Sequence, residues 1–401
     1  MLTQPLKGFR DFLPEKAIAR NFLIKKLKTF FELFGFDPLE TPAVEYAQIL
    51  LGKYGEEADK LIYLFEDYGG RKVGLRFDQT VPLARIVAQY QNLTKPFRRY
   101  QIQPVWRAEN PQSGRFREFI QADIDIVGEQ NLMAEAEIIS CAVSVFKNLG
   151  FKKTKILLND RKNLASIDKK IINAIDKLEK VGEEKVIEEI REKTGYQKKQ
   201  VKKVIDKIKN TPPSKDLTSL FFLLEKNGLR KEKDFDYQPT LVRGLDYYTG
   251  IIFEAVDEAY RSGSLGGGGR YDNLIGVFSG QKIAACGFAF GFDRLFEAME
   301  KLNLLPKQST LTQVLVTVFS RDFLDKSIKI TNFLRQNNIN TEIYPNPDKK
   351  LDKQLKYADK KGIPYVLILG EKEVKKNVVK LKDLKTGNQK EISPEDLLKI
   401  L

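Results

Sequence analysis

At 401 residues, 42% hydrophobic and 30% charged, the chain can bury large cores and is long enough for two or three domains. No apolar run approaches the roughly 20 residues of a membrane span, and the polar start MLTQPLKGFRDFLPEK lacks the apolar stretch of a secretory signal, so a cytoplasmic location without membrane contact is expected. Histidine is absent, which excludes histidine triads, histidine metal sites and the usual general base, while a net charge of +14 suggests a polyanionic partner if the excess is localised.

In chain order, apolar residues from Ile18 to Phe34 recur at helical spacing, with Pro14 before them and Gly35 after, predicting an amphipathic first helix. Short β-like runs follow at 73–78, 96–109 and 117–128. The last two are joined by the turn-rich NPQSG and read as neighbouring antiparallel strands. A helix is expected at about 131–149. Residues 160–235 turn rich in Lys, Glu and Ile with helical periodicity and a break at Pro212 and Pro213, and read as a helical insertion. Strand-like segments resume in LVRGLDYYTGIIFEAV and KIAACGFAFGF, and helical DRLFEAMEKL ends the block. After a polar stretch, VLVTVF and YVLILG, apolar on both faces, alternate with helical segments, as buried parallel strands of a small α/β domain would. The expected division is therefore 1–159, the insertion 160–235, a second part of the first domain at 236–305, and a C-terminal domain at 311–401. Charge follows it: 152–235 carries +9 and 311–401 carries +6, leaving the rest at −1. Nucleic acid and ordinary solvated lysine faces fit that distribution equally well. Cys141 and Cys286 have no metal-ligand spacing and read as buried thiols, and no metal site is expected.

Three windows carry candidate chemistry. In WRAENPQSGRFREFIQ, Arg107 leaves one strand, Glu109 follows, and Arg115 and Arg117 begin the return strand. Guanidinium groups can grip phosphate oxygens through paired hydrogen bonds, although cross-strand ion pairs on an exposed hairpin would explain this window as well. In LVRGLDYYTG, Arg243 and Asp246 precede Tyr247 and Tyr248, and SLGGGGRYDNL sets four glycines before Arg270, Tyr271 and Asp272. Such a run is costly unless backbone must approach something closely, yet it lacks the spacing of a phosphate-binding loop and also suits a flexible turn. In GFAFGFDRLFEAM, glycines alternate with aromatic residues before Arg294, which could reach phosphates or lie on a helix surface. A protein without imidazole suits a reaction whose nucleophile is already ionised, such as a carboxylate attacking phosphorus; compositional drift explains the absence too.

Together these windows resemble the class II aminoacyl-tRNA synthetases, and among them the histidyl-tRNA synthetases, over essentially the whole chain. GFDPLETPAVE is similar to motif 1, its proline at Pro42; WRAENPQSGRFREF to motif 2; GFAFGFDRL to motif 3. LVRGLDYYTG, GGGGRYD, RFDQT and QADID resemble the signatures specific to histidine. The resemblance implies an α+β protein: an antiparallel-sheet catalytic domain with a helical insertion, then a small α/β anticodon-binding domain, acting as a homodimer through motif 1. It implies activation of L-histidine by ATP, which enters with Mg²⁺ and no tightly bound cofactor, and transfer to tRNA(His). Arg107 and Arg294 would hold ATP phosphates with Glu109 and Arg115 also at the nucleotide. Asp78, Thr80 and Gln121 would bind the substrate ammonium, Asp125 and Tyr248 the imidazole, and Tyr247 would line the pocket. Arg243, at the α-phosphate, would be the principal catalytic residue. Many bacterial members carry an arginine where this chain has Asn110, which leaves open the need for the extra 5′ guanosine of histidine tRNA. Two rivals share the fold: a non-catalytic histidine-binding regulatory subunit of ATP phosphoribosyltransferase, and an RNA-binding regulator without chemistry. Retention of Arg107, Arg243 and Arg294, and the C-terminal α/β segment, weigh against the first.

Overall fold

The computed structural model describes residues 3–51, 61–110, 116–243, 247–261, 263–376 and 378–401. They form two compact units, one of Met1–Asp11 and Leu23–Leu304, the other of Phe12–Phe22 and Leu305–Leu401.

The first unit is built on an eight-stranded sheet in the order β1 (Asp37–Pro38), β5 (Phe97–Trp106), β6 (Glu118–Val127), β11 (Ala285–Gly291), β10 (Gly266–Arg270), β9 (Ile251–Asp257), β7 (Thr154–Asp160) and β8 (Phe235–Tyr237). Its inner pairs are antiparallel, and only the edge pairs β1–β5 and β7–β8 are parallel. A three-stranded sheet of β2 (Val44–Tyr46), β4 (Lys72–Leu75) and β3 (Leu64–Glu66) lies beside it in sequence. Period-2 alternation assigns the two faces of the large sheet. On one face Tyr100, Ile124, Phe253, Phe288 and Phe290 are buried. They meet Phe31 of the helix Pro14–Leu33 (ring centroids 5.6 Å from Tyr100 and 5.4 Å from Phe290) and Phe146 of the helix Met133–Asn148 (5.6 Å from Phe290). Gly35, at φ 71°, ends the first of these helices in the left-handed conformation that glycine adopts without steric cost.

The opposite face is polar or small. Arg99, Gln101 and Gln103 of β5 stand in register with Asp125, Asp123 and Gln121 of β6, and these with Gly287, Ala289 and Gly291 of β11. The alternation of small residues with phenylalanine in GFAFGF thus has a structural cause: the small residues floor the polar face while Phe288 and Phe290 enter the core.

Within the segment expected as an insertion, the helices Lys169–Ile175, Glu183–Thr194 and Lys198–Lys209 bury Ile171, Ile175, Val186, Ile190, Val201 and Ile205 in one core that also takes in Leu164 and, from outside the segment, Val242. Pro212 and Pro213 interrupt the helical run, and Ser214 caps the next helix, Lys215–Lys226, by accepting from Leu217 N at 3.2 Å. That helix and β8 rejoin the sheet: Phe221 packs on Phe235 at 5.6 Å, and β8 pairs with β7.

The second unit holds a sheet ordered β13 (Thr341–Ile343), β12 (Val314–Val316), β14 (Tyr365–Ile368), β15 (Val379–Asp383), β16 (Gln389–Ile392). Its first three strands are parallel and the last two antiparallel additions. Val314, Val316 and Leu367 face Ile330 and Leu334 of one helix, whereas Leu315 and Val366 face Ala358 of another, so both sides of β12 and β14 are covered. Among the described residues no helix is long and apolar enough to cross a membrane.

Candidate active site

A cavity of about 410 Å³ opens over the polar face of the large sheet. Arg107, Glu109, Arg243 and Arg294 line it, as do Asp78, Thr80, Gln121, Tyr247 and Tyr248, so nine of the residues singled out from sequence come from distant segments to one space.

The three arginines are positioned by different means. Arg107, just beyond β5, donates from Nε to Phe77 O at 3.0 Å and from Nη2 to Gln121 Oε1 at 3.4 Å, and its guanidinium lies 5.0 Å from the Phe119 ring centre. Arg294, in the first turn of the helix Phe292–Lys301, donates to Ser264 O at 3.3 Å. Asp293 beside it accepts from Arg10 Nη2 at 2.8 Å and from Ile120 N at 3.2 Å, tying the helix start to β6. Arg243 lies flat on β10, in space that only glycine leaves free: a Cβ on Gly267 would come within 2.0 Å of its Nη1. Its side chain keeps 20% of its surface exposed and stands 3.7 Å from Glu254 Oε2. Burial works against its charge, but Tyr248, Glu254 and Tyr247 outweigh it and raise its pKa, so the group is a permanent cation.

At the other end, Asp78 precedes the helix Thr80–Gln89 and accepts from Val81 N at 3.2 Å. Buried Gln79 donates to Gln103 O at 3.0 Å and Gln121 O at 3.2 Å, fastening that helix start to β5 and β6. Gln121 Nε2 in turn donates to both Asp123 oxygens, at 3.3 and 3.1 Å. Tyr247 and Tyr248 lie 4.5 Å apart by ring centres with their hydroxyls 3.3 Å apart. Burial raises the pKa of both phenols, leaving them neutral hydroxyls, with that of Tyr247 donating to Tyr248.

One described candidate is placed apart from the others. Asp125 does not line the cavity. It is buried against β11, in a slot left by Gly287, whose Cβ would come within 1.9 Å of Oδ1. Its oxygens are engaged by Arg99 Nη2 at 2.6 Å and by the hydroxyl of Tyr271 rather than by Tyr248. Arg115 lies outside the described residues, as does Asp246. Arg99 itself was assigned no role from sequence, yet it is fully buried, pairs with Asp125 and acts on Asp123 through its charge. The signal was present as alternation, RRYQIQ opposite QADID, two polar ladders on one strand pair. Tyr271 sits edge-on to Tyr247 at 5.8 Å and connects the buried acid to the cavity wall. Arg270, next to it, is instead a structural group: it pairs with buried Glu135 at 2.5 and 2.6 Å.

Known proteins resemble this chain over nearly its whole length. Residues 8–295 match the family model for histidyl-tRNA synthetase, and residues 313–401 match that for an anticodon binding domain. A histidine–tRNA ligase of Cytophaga hutchinsonii is 38% identical over 98% of each chain. One of Clostridium tetani is 40% identical over 99% of this chain and 97% of its own. The crystal structure of histidyl-tRNA synthetase from a Nostoc species superposes with a TM-score of 0.86, at 30% identity and full coverage of both chains. An α+β fold with an antiparallel-centred sheet, a second α/β unit and these matches over nearly the whole length establish that this chain belongs to the histidyl-tRNA synthetase family.

Proposed function

We propose that this protein is a histidine–tRNA ligase that joins L-histidine to ATP as an adenylate and passes the histidyl group to the 3′ end of tRNA(His). The observation that carries this reading is the cavity itself, in which three guanidinium groups face a cluster of carboxylate, amide and phenol groups on one sheet face. Arg107 and Arg294 hold the phosphates, with Glu109 and Arg115 at the nucleotide. Asp78, Thr80 and Gln121 take the substrate ammonium. Tyr248 faces the imidazole, with Tyr247 beside it and Asp125 acting from beneath through Tyr271.

The substrate carboxylate attacks the α-phosphorus in line, a P–O bond forms, and the bond to pyrophosphate breaks with its electron pair leaving on pyrophosphate. No base is needed because the carboxylate is already ionised, which suits a chain without histidine. Negative charge grows on the phosphoryl oxygens at that moment, and Arg243, fixed on Gly267, meets it without reorganising. ATP enters as its Mg²⁺ complex, the ion held by phosphates and carboxylates rather than by a dedicated cage. The second unit binds the anticodon, the chain works as a cytoplasmic homodimer through the segment around Pro42, and no further cofactor takes part.

Histidine-dependent exchange of pyrophosphate into ATP tests this. A regulatory histidine-binding paralogue would bind the amino acid and show no exchange. Arg243→Ala should lower the exchange rate about 10²- to 10³-fold, the usual effect of removing one preorganised charge-stabilising group, with much smaller changes in the KM values. Lysine should restore only part of it, since an ammonium lacks the forked geometry. A destabilised Arg243→Ala with normal turnover would reduce this arginine to an ion-pair partner of Glu254.

A further inference from the structure

Three successive residues enter three different surroundings. Leu241 is buried in a core with Tyr248, Ile252 and Tyr271. Val242 is buried with Ile171, Val186, Ile190 and Ile205, and among the described residues it is the one member of that core from outside residues 160–235. Arg243 lines the active cavity. The stem that leads to it is fixed from β7 as well, where buried Asn159 donates from Nδ2 to Pro239 O and to Leu241 O, both at 3.0 Å. Just beyond Asn159 the chain leaves for the helical segment, and it returns at Ser214, whose hydroxyl donates to Asp160 Oδ2 at 2.7 Å. The two connections of the segment are thus clasped next to the residue that holds the stem of Arg243. At the far end of the side chain, Glu254 Oε2 stands 3.7 Å away and Tyr248 lies alongside. These contacts act on the tip, whereas the backbone from which it springs is held by Leu241, Val242 and Asn159. A close-packed interior passes a loss of volume on as displacement, and misplacing a catalytic group by about 1 Å can cost about 10² in rate.

Resting on the ligase reading above, we propose that Val242 is a positioning residue for adenylate formation: it keys the backbone of Arg243 into the core of the helical segment, so that the packing of those helices sets the place of the catalytic cation. Val242 is buried and does not line the active cavity, so it acts through Arg243 and not on the substrate. The helical segment thereby takes part in the first half of the reaction through its core, independently of its basic surface.

Two truncations in one core separate position from stability. Val242→Ala removes two methyl groups beside Arg243, and Ile205→Ala removes a larger group from the same core on the helix Lys198–Lys209. In histidine-dependent pyrophosphate exchange, Val242→Ala should lower kcat about tenfold and keep the KM values for ATP and histidine within about twofold, the pattern of an effect confined to the transition state. Ile205→Ala should lower the melting temperature at least as far while both parameters stay within about twofold of the parent. In an Arg243→Ala background the Val242→Ala change should have no further effect on kcat, because a residue that acts through the arginine then has nothing to position. A parental kcat in folded Val242→Ala would overturn the proposal. So would an equal loss of kcat in Ile205→Ala, which would tie the rate to stability, or a full further loss in the absence of the arginine. If Val242→Ala does not fold, Val242→Ile, which overfills the same seat, is read by the same three comparisons. Absence of exchange in the parent protein would instead refute the ligase reading, so the two failures are distinguishable.

Discussion

Asp123 and Asp125 stand two residues apart on one strand face, both buried, with the Arg99 guanidinium paired to Asp125 and its charge felt at Asp123. Burial pushes the Asp123 carboxyl up to about 7, Arg99 pulls it down, and Asp125 pushes it further up. Unfolded, the same carboxyl titrates near 3.9. A carboxyl raised on folding favours the folded state in its protonated form, so its contribution is lost as pH rises from about 4 towards 7. Asp123→Asn should therefore raise the melting temperature more at pH 8 than at pH 5; equal shifts would mean that the acid titrates normally in place. Asp125 has a different role because it neutralises Arg99 directly. Asp125→Asn leaves that buried cation uncompensated and should cost about 3–5 kcal/mol in denaturant unfolding. Adding Arg99→Gln should recover much of the stability while the KM for histidine stays elevated. A double variant with parental KM would confine Asp125 to structure.

At the scale of elements, the four consecutive glycines of β10 have separate causes. A Cβ on Gly268 would strike Gly287 O at 1.9 Å and the Phe253 ring at 2.6 Å, and two strands of a central sheet cannot part to admit it. A Cβ on Gly267 meets the tip of Arg243 at 2.0 Å, a flexible group that can swing away. Gly268→Ala should thus destabilise or abolish folding, by about 3 kcal/mol or more, as forced overpacking of a close-packed interior does. Gly267→Ala should fold with a modest loss and cut adenylate formation at least about tenfold, because the catalytic cation is displaced. Matching exchange rates in Gly267→Ala and the parent would show that Arg243 needs no fixed seat. The glycine run was visible in the sequence, and close approach was one of two explanations for it. That the approaching groups are a strand carbonyl and an arginine, not ligand phosphates, depends on the register of β10 with β9 and β11.

For the whole molecule, the excess charge is divided between residues 152–235 and the C-terminal unit. Removing residues 311–401 should leave pyrophosphate exchange largely intact, raise the KM for tRNA and flatten its salt dependence, since fewer counterions are released on binding. The melting temperature should also fall, because Phe12–Phe22 belongs to the unit being removed. Unchanged tRNA kinetics in the folded truncated chain would show that the second unit does not bind tRNA.

The sequence by itself determined the elements and the chemistry on offer. Period-2 runs marked β5, β6 and β11 to within a few residues, lysine-rich helical periodicity marked the segment after β7, and the resemblance of its motifs to known ones pointed to the family. These are local properties: periodicity and motif spacing are written within a single stretch of chain. Only the tertiary structure decided which of those residues share a space. It grouped Arg107, Arg243 and Arg294 in one cavity, buried Asp125 behind its wall with Arg99 and Tyr271, returned the helix Lys215–Lys226 to the sheet, and attached Phe12–Phe22 to the C-terminal unit. Each of these outcomes turns on strand register and on packing between segments far apart in sequence. A shift of one residue in register would carry every side chain to the other face, and no local pattern records which partner strand supplies the missing Cβ that an arginine or an aspartate will occupy.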